Sequence, residues 1–356
     1  MDNKKLINAL DKWQNIQPLS ADDKNRLNRR FIIDFNYNSN HIEGNTLTYG
    51  QTEILLLFGK VIGEADVKDV QDMTASNVAL RMASEEGNSF NIPLTQNFIC
   101  TLHKTLLRED YTVYRNLPGG VQTSYAVHAG QYKTRPNSVI TRYGDRFEYA
   151  SPEETPSLMT DLVDWYNEEE QKGKLHPMEL AILFHYRYIR IHPFEDGNGR
   201  IARLMMNYIL YRHNLPMVVV RSRLKYYYLE ALHQADMIVG PNPADGAHAS
   251  LKNIHPFYKY MVQMITQEIE NDVLFVSERS ENVWWYDGEQ ITFRTATSGH
   301  LLRELQIEPM ATFTHLQKEL GINRSAIQKM LQSMQNKGYI AKDDKGSWRV
   351  FIMPSV

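Results

Sequence analysis

A single cysteine, Cys100, in 356 residues excludes an intrachain disulfide and leaves no thiolate metal site. Long apolar runs are missing too. The longest, residues 54–58, falls far short of the ~20 residues a membrane-spanning helix needs. The opening Met1-Asp2-Asn3-Lys4-Lys5 leads into a polar, amphipathic segment and not into the apolar core of a signal peptide. Nor does charge of one sign dominate: 39 Lys and Arg stand against 42 Asp and Glu, a formal net charge of −3, which gives no global nucleic-acid signature. The 12 histidines form no H-E-x-x-H or comparable cluster. Neither a G-x-x-x-x-G-K-[ST] loop nor a strand-linked G-x-G-x-x-G occurs, so the ordinary ATP-site motifs are excluded. These absences predict a soluble, cytoplasmic chain, long enough for two or three domains.

What the chain does have is concentrated in Ile191-His192-Pro193-Phe194-Glu195-Asp196-Gly197-Asn198-Gly199-Arg200-Ile201-Ala202-Arg203. Upstream, Leu180, Leu183, Phe184, Tyr188 and Ile191 recur at helical spacing, with Pro177 suited to a first turn. Downstream, Ile201, Leu204, Met205, Tyr208 and Ile209 form a helical stripe. The loop thus joins two amphipathic helices and ends at the amino terminus of the second, where free N–H groups and the positive end of a dipole are offered. Gly197 and Gly199 lack a Cβ, so an oxyanion can approach the backbone. Arg200 and Arg203, turned from the apolar stripe, can grip phosphate oxygens. Asp196 is a hard oxygen ligand suited to Mg2+. His192 titrates near neutrality and can take a proton from an incoming hydroxyl. Phe194 is expected to anchor the loop in the core. Each residue alone is an ordinary turn or surface feature. Their conjunction in this order predicts a site that neutralises a polyphosphate and activates a nucleophile against it.

His-Pro-Phe-x-Asp-Gly-Asn-Gly-Arg-x-x-Arg, complete from His192 to Arg203, resembles the signature of the Fic family (filamentation induced by cyclic AMP). Residues 176–190, HPMELAILFHYRYIR, resemble the helix that precedes it there. The resemblance covers residues from about 30 to 240. It implies an all-α core that moves AMP from ATP, with Mg2+, to a Ser, Thr or Tyr hydroxyl of a target protein or of the chain itself, releasing pyrophosphate. It further implies a homodimer. Residue by residue, it makes His192 the general base, Asp196 the Mg2+ ligand, and Asn198 with the amides of Gly197 and Gly199 the anion hole. Arg200 and Arg203 would hold the triphosphate. Some relatives move UMP, phosphate or phosphocholine. Gly199, where some phosphate-transferring relatives have Lys, favours nucleotidyl transfer.

Upstream, Ser39 and Glu43 are four apart, hence on one helix face, and Gly44 is placed to end that helix. Alone this is an ordinary helix end. Beside the loop, Ser39 to Gly44 resembles the Fic inhibitory motif Ser/Thr-x-x-x-Glu-Gly/Asn, in the class that carries it on an amino-terminal helix. The resemblance implies that Glu43 pairs with Arg203 and takes the place of the ATP γ-phosphate. In some relatives the same Glu helps remove AMP from the target, and that role stays open here.

Residues 127–149 read as a strand, turn, strand ribbon. A hairpin at this place resembles the family's flap, which lies over the site and aligns a target segment by strand addition. Val139 and its neighbours would then touch nucleotide and target. Further on, Tyr228 and Asp236 resemble positions that line the family's adenine pocket, although Leu229 replaces the second Tyr of the usual pair.

In the amino-terminal region Leu27, Phe31 and Phe35 share a helix face, and Thr48 with Gln51 predicts a capping box. After a polar, Trp-bearing stretch, residues 311–356 read as helix, Gly turn, helix and a two-stranded wing around Asp343-Asp344-Lys345-Gly346. Ile327, Met330, Leu331 and Met334 would face inward. This resembles a winged helix-turn-helix with Arg324, Ser325 and Gln328 on the exposed helix start. Seven Lys and Arg against three Asp and Glu make the segment mildly basic. It is a candidate DNA surface, or equally a module for packing, dimerisation or target docking.

The expected architecture is mainly α: a Fic-type helical core with a small β-hairpin flap and a carboxy-terminal winged helix-turn-helix. The divisions are residues 1–94 (inhibitory helix at about 36–44), 95–270 (flap at about 128–149, catalytic loop 192–203), a connector 271–310, and 311–356. The expected function is protein adenylyl transfer restrained by Glu43. The rival from another class is a nucleotide-sensing, DNA-binding transcriptional regulator. Intact His192, Asp196 and Arg203 favour the enzyme, since a sensor has no need of a base.

Overall fold

The computed structural model describes residues 4–89, 91–116, 122–140 and 146–351. The chain starts with α1 (Lys4–Asn15), α2 (Ala21–Ile42), α3 (Tyr49–Phe58), α4 (Val67–Gly87) and α5 (Gln96–Leu107). Two antiparallel hairpins follow, β1 (Tyr111–Asn116) with β2 (Gln122–Val127), then β3 (Ser138–Ile140) with β4 (Arg146–Glu148). Next come α6 (Thr155–Lys172), α7 (Pro177–Ile191), α8 (Asn198–Arg212), α9 (Lys225–Val239), α10 (Pro243–Ala247) and α11 (His255–Ser277). The carboxy-terminal part comprises β5 (Val283–Tyr286) paired with β6 (Glu289–Thr292), α12 (Ala296–Ile307), α13 (Phe313–Leu320), α14 (Arg324–Asn336), and β7 (Ile340–Lys342) paired with β8 (Trp348–Val350). The chain is mainly helical, and its strands form two-stranded ribbons.

Local chemistry explains the ends that position the site. Thr48 and Gln51 form the expected capping box of α3. Pro177 opens α7 at a position whose N–H has no helical partner, and His176 with Glu179 closes a second capping box there. Gly197, at φ 75°, caps α8 in a conformation that a Cβ would strain. The inner faces of α7 and α8 merge into one core: Leu180, Leu183, Phe184, Tyr188, Ile191, Ile201, Leu204, Met205, Tyr208 and Ile209 are all buried. In α8, however, burial runs round the whole helix. Arg200, Arg203, Asn207 and Arg212 are buried as well, so no solvated face exists for the arginines to turn to.

The ribbon expected over 127–149 is shorter than its pattern. Within it residues 138–140 pair with 146–148, while Val127 belongs to β2 and pairs with Tyr111; 141–145 lie outside the described residues, and residues 128–137 run beside the α7–α8 loop without strand pairing. Nor is the stretch 271–310 a plain connector. Helix α11 continues to Ser277, and the rest folds into β5, β6 and α12, whose Leu301, Leu302 and Leu305 enter a second core with Leu316, Ile327, Leu331, Met334, Ile340 and Val350. Met330 packs against that core half-buried. The turn between β7 and β8 spans 343–347, and residues 352–356 lie outside the described residues.

A buried ionic cluster ties the two cores together. Arg221, 2% exposed, donates to Glu268 at 2.9 and 2.6 Å, and pairs with Asp34 at 2.9 Å and Asp287 at 3.1 Å. Asp287 and Gly288 turn the β5–β6 hairpin with both φ positive, 46° and 78°. A Cβ at Gly288 would come within 2.6 Å of the Arg221 guanidinium, so the close approach requires glycine.

Candidate functional site

The loop between α7 and α8 holds the expected residues together. Phe194 is fully buried and stacks on His103, ring centroids 3.7 Å apart. His103 accepts from Gly130 N–H at Nδ1 (2.9 Å), which leaves its Nε2–H to donate to the Asp196 carbonyl at 3.0 Å. Burial lowers its pKa to about 4, so this strut is a neutral ring at ordinary pH.

His192 ends α7 in the left-handed region, φ 53° and ψ 60°, its N–H bonded to Tyr188 O at 2.9 Å. Its ring stacks on Tyr149 at 3.9 Å, nearly parallel. Burial pushes its pKa down to about 3; Lys133 adds to the shift, and the Ile189 carbonyl and the Asp196 carboxylate only partly offset it. At neutral pH the ring is therefore unprotonated, the form a general base requires.

Asp196 is the half-exposed member of the loop. Burial would raise its pKa, but Arg200, the Tyr111 hydroxyl and the Gly197 N–H together hold it below the ordinary value. Tyr111 donates to Oδ2, Gly197 N–H to Oδ1 at 2.6 Å, and Arg200 lies 3.7 Å away. An ionised, partly exposed carboxylate fits a hard divalent cation such as Mg2+. Tyr111, on β1, gave no sign of this role in the sequence.

The Asn198 side chain binds within the loop itself. Its amide donates to Phe194 O at 2.7 Å and accepts from Phe194 N–H at 3.0 Å, clamping the loop. What Asn198, Gly199 and Arg200 offer an anion are backbone N–H groups, which by position have no helical acceptor. Arg200 is buried, its Nη2 3.7 Å from Asp196 and its Nε unpartnered among the described residues.

Arg203 is 2% exposed and fully engaged with α2. Its Nε donates to Ser39 Oγ at 3.0 Å, and its Nη2 donates to Ser39 O at 2.9 Å and to Glu43 Oε1 at 2.6 Å. A Cβ built on Gly199 would stand 2.5 Å from the same Glu43 oxygen. The Glu43 carboxylate thus rests on the amino terminus of α8, where phosphate oxygens would be received. Glu43 itself caps α2, and Gly44 follows with φ 98°, as the motif's spacing predicted.

Two residues assigned to the adenine side are committed elsewhere. Tyr228 is 2% exposed; its hydroxyl bonds His185 Nε2 at 3.0 Å and lies against Arg203. In this structure it braces the arginine. Asp236 accepts from Tyr186 at 2.8 Å and from the fully buried Arg190 at 3.3 Å, serving as that cation's counter-ion. An aromatic, polar helix face carried no signal that would separate these structural roles from ligand contact. The backbone of Val139 lies in β3 opposite Phe147; its side chain is outside the described residues.

The sequence profile of the Fic/DOC family matches residues 93–210. A solved Fic domain-containing signaling protein from Bacteroides thetaiotaomicron is 48% identical; the match covers 78% of this chain and 98% of that one, with a TM-score of 0.72. Protein adenylyltransferase fic-1 of Caenorhabditis elegans is 27% identical over 274 residues, 77% of this chain and 47% of that protein. Protein adenylyltransferase Fic of Nematostella vectensis is 30% identical over 200 residues, 56% of this chain and 42% of that protein. The chain spans about half the length of these two relatives or less.

Proposed function

This chain belongs to the Fic/DOC family, and on that footing we propose that it transfers AMP from ATP to a hydroxyl of a target protein, restrained by Glu43. The observation that carries the reading is the Glu43 carboxylate on Arg203 above Gly199, an anion held where an ATP phosphate would sit. The names of the adenylyltransferase relatives support the reaction class.

The chemistry follows from the residues present. Neutral His192 takes the proton of the target hydroxyl as its oxygen bonds the α-phosphorus, while the bond from that phosphorus to the β-phosphate oxygen breaks and pyrophosphate leaves. The amides of Asn198, Gly199 and Arg200, with the Arg200 side chain, would receive phosphate charge. Asp196 would hold Mg2+, which when bound neutralises phosphate charge. Arg203 can serve a terminal phosphate only after Glu43 leaves it. The paired strands β3 and β4 would align the target backbone by strand addition.

The carboxy-terminal helices and hairpin support a second, docking role. Arg324, Ser325 and Gln328 are exposed at the start of α14, as a winged helix offers them to DNA. Against DNA stands the engagement of wing cations: Lys345 pairs with Glu64 and Arg349 with Asp343 at 3.4 Å. A target protein is the partner we assign to this module. No described helix is long and apolar enough to cross a membrane.

The test is labelling by ATP carrying radioactive α-phosphate, with Mg2+, of wild type, Glu43→Gly and the Glu43→Gly/His192→Ala double variant. Label on protein in Glu43→Gly alone supports both transfer and restraint. Equal labelling of wild type and Glu43→Gly removes the restraint. Label from UTP but not ATP reassigns the donor.

A further inference from the structure

Residues 131–137, between β2 and β3, run along the α7–α8 loop and bond to it from Lys133, Thr134 and Asn137. Lys133 N–H donates to Pro193 O at 2.9 Å, Thr134 N–H to the Glu195 carboxylate at 2.8 Å, and the Asn137 amide to Phe194 O at 3.0 Å. The Lys133 side chain goes further. It is 3% exposed, and its Nζ donates to Ile191 O at 3.1 Å, His192 O at 2.8 Å and Asn137 Oδ1 at 2.8 Å. An ammonium carries three N–H donors and no acceptor, so this set satisfies it completely.

All three acceptors are neutral, and no carboxylate among the described residues lies within ion-pair distance of it. Burying a cation this way is costly, and packing alone would be served better by an apolar chain. Burial lowers its pKa to about 7, against the opposing pull of the Glu195 and Glu154 carboxylates.

The two backbone acceptors supply the reason. Ile191 and His192 are the last residue and the carboxy-terminal cap of α7, where carbonyls lack helical partners and the dipole is negative. His192 also holds φ at 53°, a region that costs a non-glycine residue about 1 kcal/mol or more and persists only where neighbours enforce it. We propose that Lys133 is the positioning residue of the general base: by binding the last two carbonyls of α7 it closes the helix at His192 and sets the direction of the imidazole. Tyr149, stacked on the ring, holds the side chain once the backbone is so directed. This inference rests on the transferase reading for its kinetic consequence, but not for its structural one.

The experiment places Lys133→Met and Lys133→Arg in the Glu43→Gly protein. The expected result for Lys133→Met is a kcat lower by about 100-fold with KM for ATP within about twofold, the mark of a misaligned base. Lys133→Arg, which keeps a cation for the carbonyls, is expected to recover activity to within about tenfold of the parent. An unchanged kcat in Lys133→Met, or kcat and ATP affinity falling together as for a scaffold residue, would overturn the proposal. Should Lys133→Met not fold, Lys133→Gln, which keeps a donor without the charge, takes its place. A parallel readout needs no transfer at all: the imidazole resonances of His192 in nuclear magnetic resonance spectra should move in Lys133→Met and stay in Lys133→Arg. If the Glu43→Gly parent transfers no AMP, the transferase reading fails, and unmoved His192 resonances would then separately overturn the positioning role.

Discussion

Arg203 Nη2 lies 2.6 Å from Glu43 Oε1, and the same carboxylate oxygen fills the space that a side chain on Gly199 would need. One contact therefore links three features of the chain: the second motif arginine, the acidic end of α2 and a glycine in the first turn of α8. The arginine is buried while the carboxylate is more than a third exposed, which makes Glu43 the partner able to leave.

The glycine gives a test that does not depend on activity. Gly199→Ala should destabilise the protein because its Cβ meets the Glu43 carboxylate. The same substitution in Glu43→Gly should cost less, leaving a coupling of about 1 kcal/mol or more in a double-mutant cycle. Denaturant unfolding of the four proteins measures it; additive effects would mean that Glu43 does not rest on Gly199.

Ser39 accepts a charge-assisted hydrogen bond from Arg203 in a buried setting. Ser39→Ala is expected to cost about 1.5–3 kcal/mol of stability. It should also release Arg203 partly from α2, raising AMP transfer several-fold above wild type but below Glu43→Gly. Melting and labelling on one preparation check both, and stability loss without any gain in labelling would limit Ser39 to a packing role.

Tyr228→Phe addresses the adenine side. Removing the hydroxyl that bonds His185 should lower stability by about 1 kcal/mol and leave the preference for ATP over GTP as it was. A changed preference, read from competition binding, would return Tyr228 to the base pocket.

Burial makes acid sensitivity predictable. His103 and His185 are fully buried, with pKa values lowered by burial to about 4 and about 3. The unfolded chain takes up these protons near pH 6.5, the folded one only far below. Their contribution to stability is thus present above pH 6.5 and lost as pH falls, each by up to about 1.4 kcal/mol per pH unit. Urea midpoints should fall steadily from pH 6.5 to pH 4.5, and less steeply in His185→Phe. The rate of Glu43→Gly should show no acid limb near pH 6.5, because His192 stays neutral well below it.

Much of this was legible because it is local. Thr48 with Gln51, Gly44 after Glu43, and Pro177 at the head of α7 act within a few residues, and the structure places all of them as their spacing predicts. Other local signals were passed over. Asp287-Gly288 between Trp284-Trp285-Tyr286 and β6 is a strong hairpin turn, yet residues 271–310 read as a connector because the polar flanks masked it. The β1–β2 ribbon was missed likewise, and with it Tyr111 on Asp196.

Which groups the candidate site can offer was determined by the sequence alone, because a histidine, a hard carboxylate, two glycines and two arginines stand in one contiguous loop whose flanks have helical periodicity. Which partners those groups meet was decided only by the tertiary structure. Glu43 reaches Arg203 across 160 residues, Lys133 reaches His192 across 59, and Tyr228 and Asp236 meet the buried Arg203 and Arg190. Periodicity tells which face of a helix is buried. It does not tell what that face is buried against, and for a polar side chain in a dry interior the partner sets the role.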